Sequence, residues 1–302
     1  MILPRGRRCE RAGMKFILAS IATVFALLQC AAQTQKAPAP SVEQFLNGLS
    51  SNSKGTNAEV EEGGQVADAI ATAHSGEVSQ EIPEIFDKLR QSPDRRVRAY
   101  AVAFLVTIAQ RPDGKDLLGS RSQEIADLLQ DPDEGIQKGV IALIDWVAAS
   151  HPQVYLPALR AAIAKPNLSQ DLGFQLASAL LAIGSLAGDA ASIHAALGFI
   201  ERKDLTWQTR MQIAESMGTN PGVPDEVCRE LVKALDDPDP RVRAAAIVAF
   251  AGPTSSVHSL AQGRIERMSR DPQENRQVRH LAAEALAGHA PLNPNIEPDA
   301  PQ

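Results

Sequence analysis

Aromatic side chains are scarce in this chain: only 4% of its 302 residues, although 44% are apolar. Ala, Leu, Val and Ile supply most of the apolar surface. That balance gives no support to a β-sandwich or barrel and suits helices packed through small side chains. Cysteine is rarer still. Cys9 and Cys30 fall within the first 32 residues, so Cys228 stands alone in the remainder and no internal disulfide framework can form. Catalytic motifs are missing too. The chain has no His-Glu-x-x-His, no Gly-x-Ser-x-Gly and no Gly-x-x-x-x-Gly-Lys, which removes the sequence grounds for a zinc protease, a serine hydrolase or a phosphate loop. No cofactor or metal is expected.

The basic residues are unevenly placed. Arg5, Arg7, Arg8, Arg11 and Lys15 precede an apolar run from Phe16 to Leu28, followed by Ala31 and Ala32. A basic head, a short apolar stretch and a small-residue exit read as a secretory signal over residues 1–32. The run falls short of the roughly 20 apolar residues that a membrane span needs. Met14-Lys15-Phe16 is an equally good signal opening. Two exits stay open. Cleavage after Ala32 releases a soluble chain from Gln33, periplasmic or secreted; alternatively, Leu27-Leu28-Gln29-Cys30 resembles a bacterial lipobox and Cys30 carries a lipid anchor in the envelope. The mature chain has no membrane span in either case. Loss of the head removes five positive charges and one negative, which moves the formal charge from −6 to −10. So acidic a chain is a poor partner for nucleic acid or anionic lipid. Residues 33–41 read as a flexible tether and 289–302 as a Pro-rich loose tail, so the ordered domain is expected over 42–288.

Inside that domain one pattern recurs. An apolar residue, often followed by Arg, is joined by small or apolar residues four and seven positions on and an apolar residue at eight. Val97, Ile136, Leu172, Thr209, Val242 and Val278 open the copies, separated by 39, 36, 37, 33 and 36 residues. Offsets 0, 4, 7 and 8 share one stripe of a helix, and Ala246 or Ala282 at offset 4 lets a neighbouring helix approach closely. Three residues before each start stand Asp94, Asp133, Ser169, Thr206, Asp239 and Asn275, all preferred helix N-caps. Pro93, Pro132 and Pro238 end what precedes three of them, and Pro240 takes the tolerated first helical position. Amphipathic segments at 82–89, 117–129, 155–163, 193–200, 227–235 and 257–268 precede the capped helices. The expected fold is all-α: an α-solenoid of about six stacked helix pairs, with a weaker seventh pairing Val42–Leu49 with Val66–Ala73.

Segments such as Leu235-Asp236-Asp237-Pro238-Asp239-Pro240-Arg241-Val242-Arg243 and Leu128-Leu129-Gln130-Asp131-Pro132-Asp133 closely resemble HEAT repeats, particularly their short bacterial form. The resemblance spans roughly Glu81 to Gly288. It implies a right-handed superhelix whose second helices line the concave side, with Asp and Arg of successive units forming a ladder there. Arg98, Arg210, Arg243 and Arg279 match the Arg position, whereas Gln137 and Gly173 depart from it and break the ladder in the middle. These Arg residues are read as structural, each partly exposed ion pair contributing ~0–1 kcal/mol.

Function is less legible. Opposite the packing stripe stand Val102, Val106, Ile141, Phe174, Leu181, Met211, Ile247 and Val248, with His280 and Glu284 in the last copy. Two readings remain: these apolar residues pack against adjacent units, or they line a groove that receives a partner's helix or extended segment. Trp146 and Trp207 read as packed ridge residues, with an interface anchor as the alternative. Cys228 reads as a buried thiol. His280 and Glu284 lie one turn apart and lack a third metal ligand. Asp236, Asp237 and Asp239 precede a helix, where capping outranks cation binding. The function supported is a non-catalytic binding or scaffold module for an unidentified protein or peptide. Its rivals are an enzyme or small-ligand binder with a site assembled across repeats, and a structural spacer of the envelope.

Overall fold

Cap residues decide where the helices begin. The computed structural model describes residues 39–49, 56–219, 225–251, 258–289 and 296, and its contacts divide the chain into two compact units, Met1–Ala162 and Ile163–Gln302. Residues 1–32, read from the sequence as a signal, with Cys30, and residues 289–302 except His289 and Ile296 lie outside the described residues.

In the first unit, α1 (Val42–Gly48) and α2 (Asn57–Thr72) begin at Ser41 and Thr56. Both caps are capping boxes, with Gln44 and Glu59 reaching back to the cap N–H. Next come α3 (Ser75–Gln91) and α4 (Arg95–Ala109); the Asp94 carboxylate accepts from the Arg96 N–H at 2.8 Å at the head of α4. The segment expected to be continuous over 117–129 is instead broken into α5 (Gly114–Gly119), α6 (Ser122–Asp127) and a 3-10 turn, Leu128–Gln130. The Ser122 hydroxyl donates to the Gly119 carbonyl at 2.7 Å, a local bond that competes with a continuous helix. Then α7 (Glu134–Val147) follows its cap Asp133, which accepts from Ile136 N–H at 3.1 Å, and α8 (Pro152–Ile163) closes the unit.

The second unit runs α9 (Gln170–Ala187), α10 (Ala190–Ile200), α11 (Trp207–Thr219), α12 (Asp225–Ala234), α13 (Pro240–Ala251), α14 (His258–Arg270) and α15 (Arg276–Leu286). Ser169, Thr206, Asp239 and Asn275 stand before α9, α11, α13 and α15. Their side chains accept from the N–H groups of Leu172, Thr209, Arg241 and Gln277 at 3.1, 3.3, 2.9 and 2.9 Å. Helix α9 stops at Gly188, whose φ of 67° is left-handed and suits a residue without a side chain. No strand occurs among the described residues. The chain is all-α.

Second helices stack on second helices. In the first unit α2 packs on α4 and α4 on α7; in the second, α9 packs on α11, α11 on α13 and α13 on α15. This is solenoid-type repetition, and its core is the stripe seen in the sequence. Ala101, Leu105, Val140, Leu143, Ile144, Leu180, Ala246 and Ala282 are fully buried. Small residues set the spacing. A Cβ on Gly63 would lie 2.6 Å from the Tyr100 ring, so the missing side chain is what lets Tyr100 of α4 settle against α2. Phe45 meets that ring edge-on at 4.9 Å. Leu286, at offset 8 of the last copy, is 42% exposed, as expected where the stack of described helices ends.

Candidate binding surface and inter-repeat joints

The arginine that follows the repeat start leaves the first turn of its helix with two sets of donors. Arg98 Nη1 donates to the carbonyls of Ser92 and Pro93 at 3.0 and 3.2 Å, holding its own turn. Its Nε and Nη2 fork onto the Asp131 carboxylate of the next repeat at 2.9 and 3.4 Å. Arg210 repeats this, with Nη1 on the Leu205 carbonyl at 2.6 Å and the fork on Asp237 at 2.6 and 2.9 Å. Arg243 does the same with the Asp237 carbonyl and the Glu274 carboxylate. The receiving acid also braces its own turn: Asp131 accepts from Asp133 N–H at 2.8 Å, Asp237 from Asp239 N–H at 2.9 Å and Glu274 from Asn275 N–H at 2.8 Å. So the Asp-Pro-Asp turn divides its labour. The first Asp takes the neighbour's arginine and the second caps the helix.

These pairs are better shielded than the sequence reading assumed. The Arg98 and Asp131 side chains are only 12% and 7% exposed. A bidentate, charge-assisted pair in that setting is stronger than a surface ion pair, and losing one partner strands the other. The ladder is modified where the sequence departs from arginine. Gln137 donates to the Asp131 carbonyl of its own turn, and among the described residues it takes no carboxylate of the following repeat. Gly173 makes room instead, since a Cβ there would lie 2.2 Å from Phe199 of α10. Gln170 takes over the joint from α9 to α11: its Oε1 accepts from Thr206 N–H at 2.8 Å and Thr209 hydroxyl at 3.0 Å, and its Nε2 donates to the Asp204 carbonyl at 2.8 Å. The acceptors Asp131 and Asp237 stand five residues before their repeat starts and Glu274 four before its own, so no single register marks them; Gln170 carried no mark either.

The face opposite the packing stripe divides in two. Val102, Val106, Ile141, Leu181 and Ile247 are buried, at 5% exposure or less, and for these five the expectation of an accessible groove is corrected. All five occupy offsets 5 or 9, the flank turned toward neighbouring helices. Val102 shows the cause: its Cγ1 fills the notch at Gly139 of α7, 2.6 Å from where a Cβ would stand. Phe174, Met211 and Val248 occupy offsets 2 or 6 and remain partly exposed. Beside them lie the half-buried Gln175 and the exposed Gln208, Gln212 and Glu215.

Two acids on this outward side titrate unusually. Desolvation pushes the Asp145 carboxyl of α7 up to about 7, although the residue keeps an exposed surface. Desolvation also raises Glu215 of α11. Elsewhere the side chains have structural duties. Trp207 is half-buried, and the Arg241 guanidinium lies 3.2 Å from its ring centre while binding Asp239 at 2.7 Å. Trp146 is half-buried and Cys228 is buried. Asp236 pairs with Arg264. No group of three or more His, Cys, Asp or Glu residues among the described residues could hold a metal ion, and no described helix is long and apolar enough to cross a membrane.

No family model and no curated protein matches the chain. Among solved structures it is similar to a computationally designed armadillo repeat protein for modular peptide recognition, at 19% identity and TM-score 0.36, covering 82% of this chain and 98% of that one. It is also similar to the designed armadillo repeat protein YIII(Dq)4CqI, at 20% identity and TM-score 0.30, covering 83% and 98%.

Proposed function

We propose that the chain is an exported, non-catalytic binding module of HEAT type that holds a protein or peptide segment against the outward edge of its second helices. The row Phe174, Met211 and Val248 carries this reading: three apolar side chains on the adjoining helices α9, α11 and α13, left partly exposed while Ala177, Ala214 and Ile247 at offset 5 and Leu181 at offset 9 are covered. Glutamines and Glu215 border the row, giving an apolar centre with a polar rim able to hydrogen-bond a bound backbone. In the HEAT arrangement this edge is the concave side. Export rests on the basic head and apolar run of residues 1–32.

The test is selection of binders from a random peptide display library on the chain from Gln33, with affinity read by fluorescence anisotropy. Met211→Glu and Val248→Glu should each weaken a selected peptide by about tenfold or more, because a buried apolar contact contributes ~1.5–3 kcal/mol. Arg98→Gln, in the other unit, should leave it unchanged. Equal affinity in folded Met211→Glu and Val248→Glu proteins moves the binding surface elsewhere. Failure to enrich any peptide favours the spacer reading.

A further inference from the structure

Each interior arginine of the ladder has two duties, and Arg279 shows only the first among the described residues. Arg279 Nη1 donates to the carbonyls of Asp271, Pro272 and Glu274 at 3.2, 3.3 and 3.3 Å, as Arg98, Arg210 and Arg243 do in their own turns. Among the described residues no carboxylate meets its Nε or Nη2, the edge that in the other three holds an acid bidentately. Arg279 lines a cleft of about 1020 Å³ at the end of the stack, together with Arg276, His280, Glu284, His289 and Ile296. Ile296 is only 9% exposed. In the sequence, Glu297 and Asp299 come directly after it.

We propose that the Nε and Nη2 edge of Arg279 is a receptor for a carboxylate borne on a peptide segment, and that its occupant is the acidic stretch of this chain's own tail, Glu297 or Asp299. The tail then supplies at the end of the array what Asp131, Asp237 and Glu274 supply at the interior joints. Three observations converge on this. The donor geometry is already filled by an acid in three earlier repeats. A consecutive residue advances by about 3.8 Å, so an acid one or three residues beyond Ile296 has the cleft wall within reach. The lining side chains Arg276, His280 and His289 add positive or protonatable groups around the fork, against the single acid Glu284.

A mutant cycle on the full mature chain decides it. Arg279→Gln is compatible with folding, since Gln137 holds the same register in α7. Arg279→Gln alone and the pair Glu297→Gln, Asp299→Gln should each lower Tm by roughly 2–4 °C. All three changes together should lower it no further than either set. Amide hydrogen exchange over residues 276–286 should quicken in both variants. Arg243→Gln, an interior control, should add to the tail changes in full. Additive losses for Arg279→Gln and the tail changes overturn the proposal, because the tail would then act elsewhere. No change in Tm or exchange on removing the tail acids also overturns it and leaves the cleft to an acidic segment of another molecule. Should Arg279→Gln not fold, exchange in the tail variant alone decides.

Discussion

Ser169 and Asp145 mark the two ends of what a single residue reveals. Ser169 is legible because capping is local: a hydroxyl three residues before an apolar start can satisfy one of the free N–H groups of α9, and it does so at 3.1 Å. Ser169→Ala should cost about 1 kcal/mol in urea unfolding; a loss near zero would mean that packing alone holds the start of α9. The same logic applies at Thr56, but there Glu59 stands three residues on, where five of the six other copies start with an apolar residue. Asp145 is illegible, since nothing in its neighbours along the chain foretells desolvation. Its folded-state carboxyl binds a proton more tightly than an unfolded one, moving from 3.8 to about 7. Stability therefore falls as pH rises from about 4 toward about 7, where the unfolded chain has released the proton and the folded chain still keeps it. Asp145→Asn should melt above the parent near pH 8 and match it below about pH 4. Parallel melting curves across that range would remove desolvation as the cause. Asp94 and Asp239 behave oppositely: hydrogen bonds from Arg96 and Arg241 hold them below their ordinary value, so their contribution is present at neutral pH and is lost in acid.

At the scale of the helix, the spacing of apolar residues announced the six second helices α4, α7, α9, α11, α13 and α15, and the close approaches between helices depended on particular absences. Gly173 is the sharpest case. Alanine would gain ~1 kcal/mol in helix propensity, yet its Cβ would sit 2.2 Å from Phe199, and overpacking costs typically ~1–3 kcal/mol. Gly173→Ala should therefore destabilise the chain in chemical denaturation, and Phe199→Leu placed with it should recover part of the loss. Additive losses would show that the contact is not the cause. The sequence located the donors of the ladder but not their partners, because each turn offers two acids and periodicity cannot say which caps and which receives. It also read 117–129 as one helix, where a serine hydroxyl and the Gly119 carbonyl set a bend instead.

For the molecule as a whole, the all-α repeat architecture was open to reading, whereas the accessible surface was only half so. Offsets 2, 5, 6 and 9 share one broad arc of a helical wheel, and the side from which the next helix approaches decides which of them stay open. That side is a tertiary fact. Substitution of a covered residue should consequently damage stability before binding. Val102→Glu places a charge beside Gly139 in a site only 4% exposed, and uncompensated burial of charge is costly. Amide exchange should rise in α4 and α7, which pack together, while α13 and α15 keep their protection, because repeat arrays pass strain chiefly to nearest neighbours. Exchange that rises throughout would indicate one cooperative block instead.

The arginine joints also bear on how such a chain can grow. Each donor sits at the head of one repeat and each acceptor at the head of the next, so a stretch such as Pro238 to Glu274 contains Arg243 and the acid that receives it. A tandem duplication of that stretch carries both halves of a joint, and the new copy presents to each neighbour the group the old one presented. The array can lengthen in one gene event without a compensating change on either side. The α9 repeat lacks this freedom: Gln170 is matched to Thr206 and Thr209 of its successor, so a second copy would meet Ser169 and Leu172 where that threonine pair should stand.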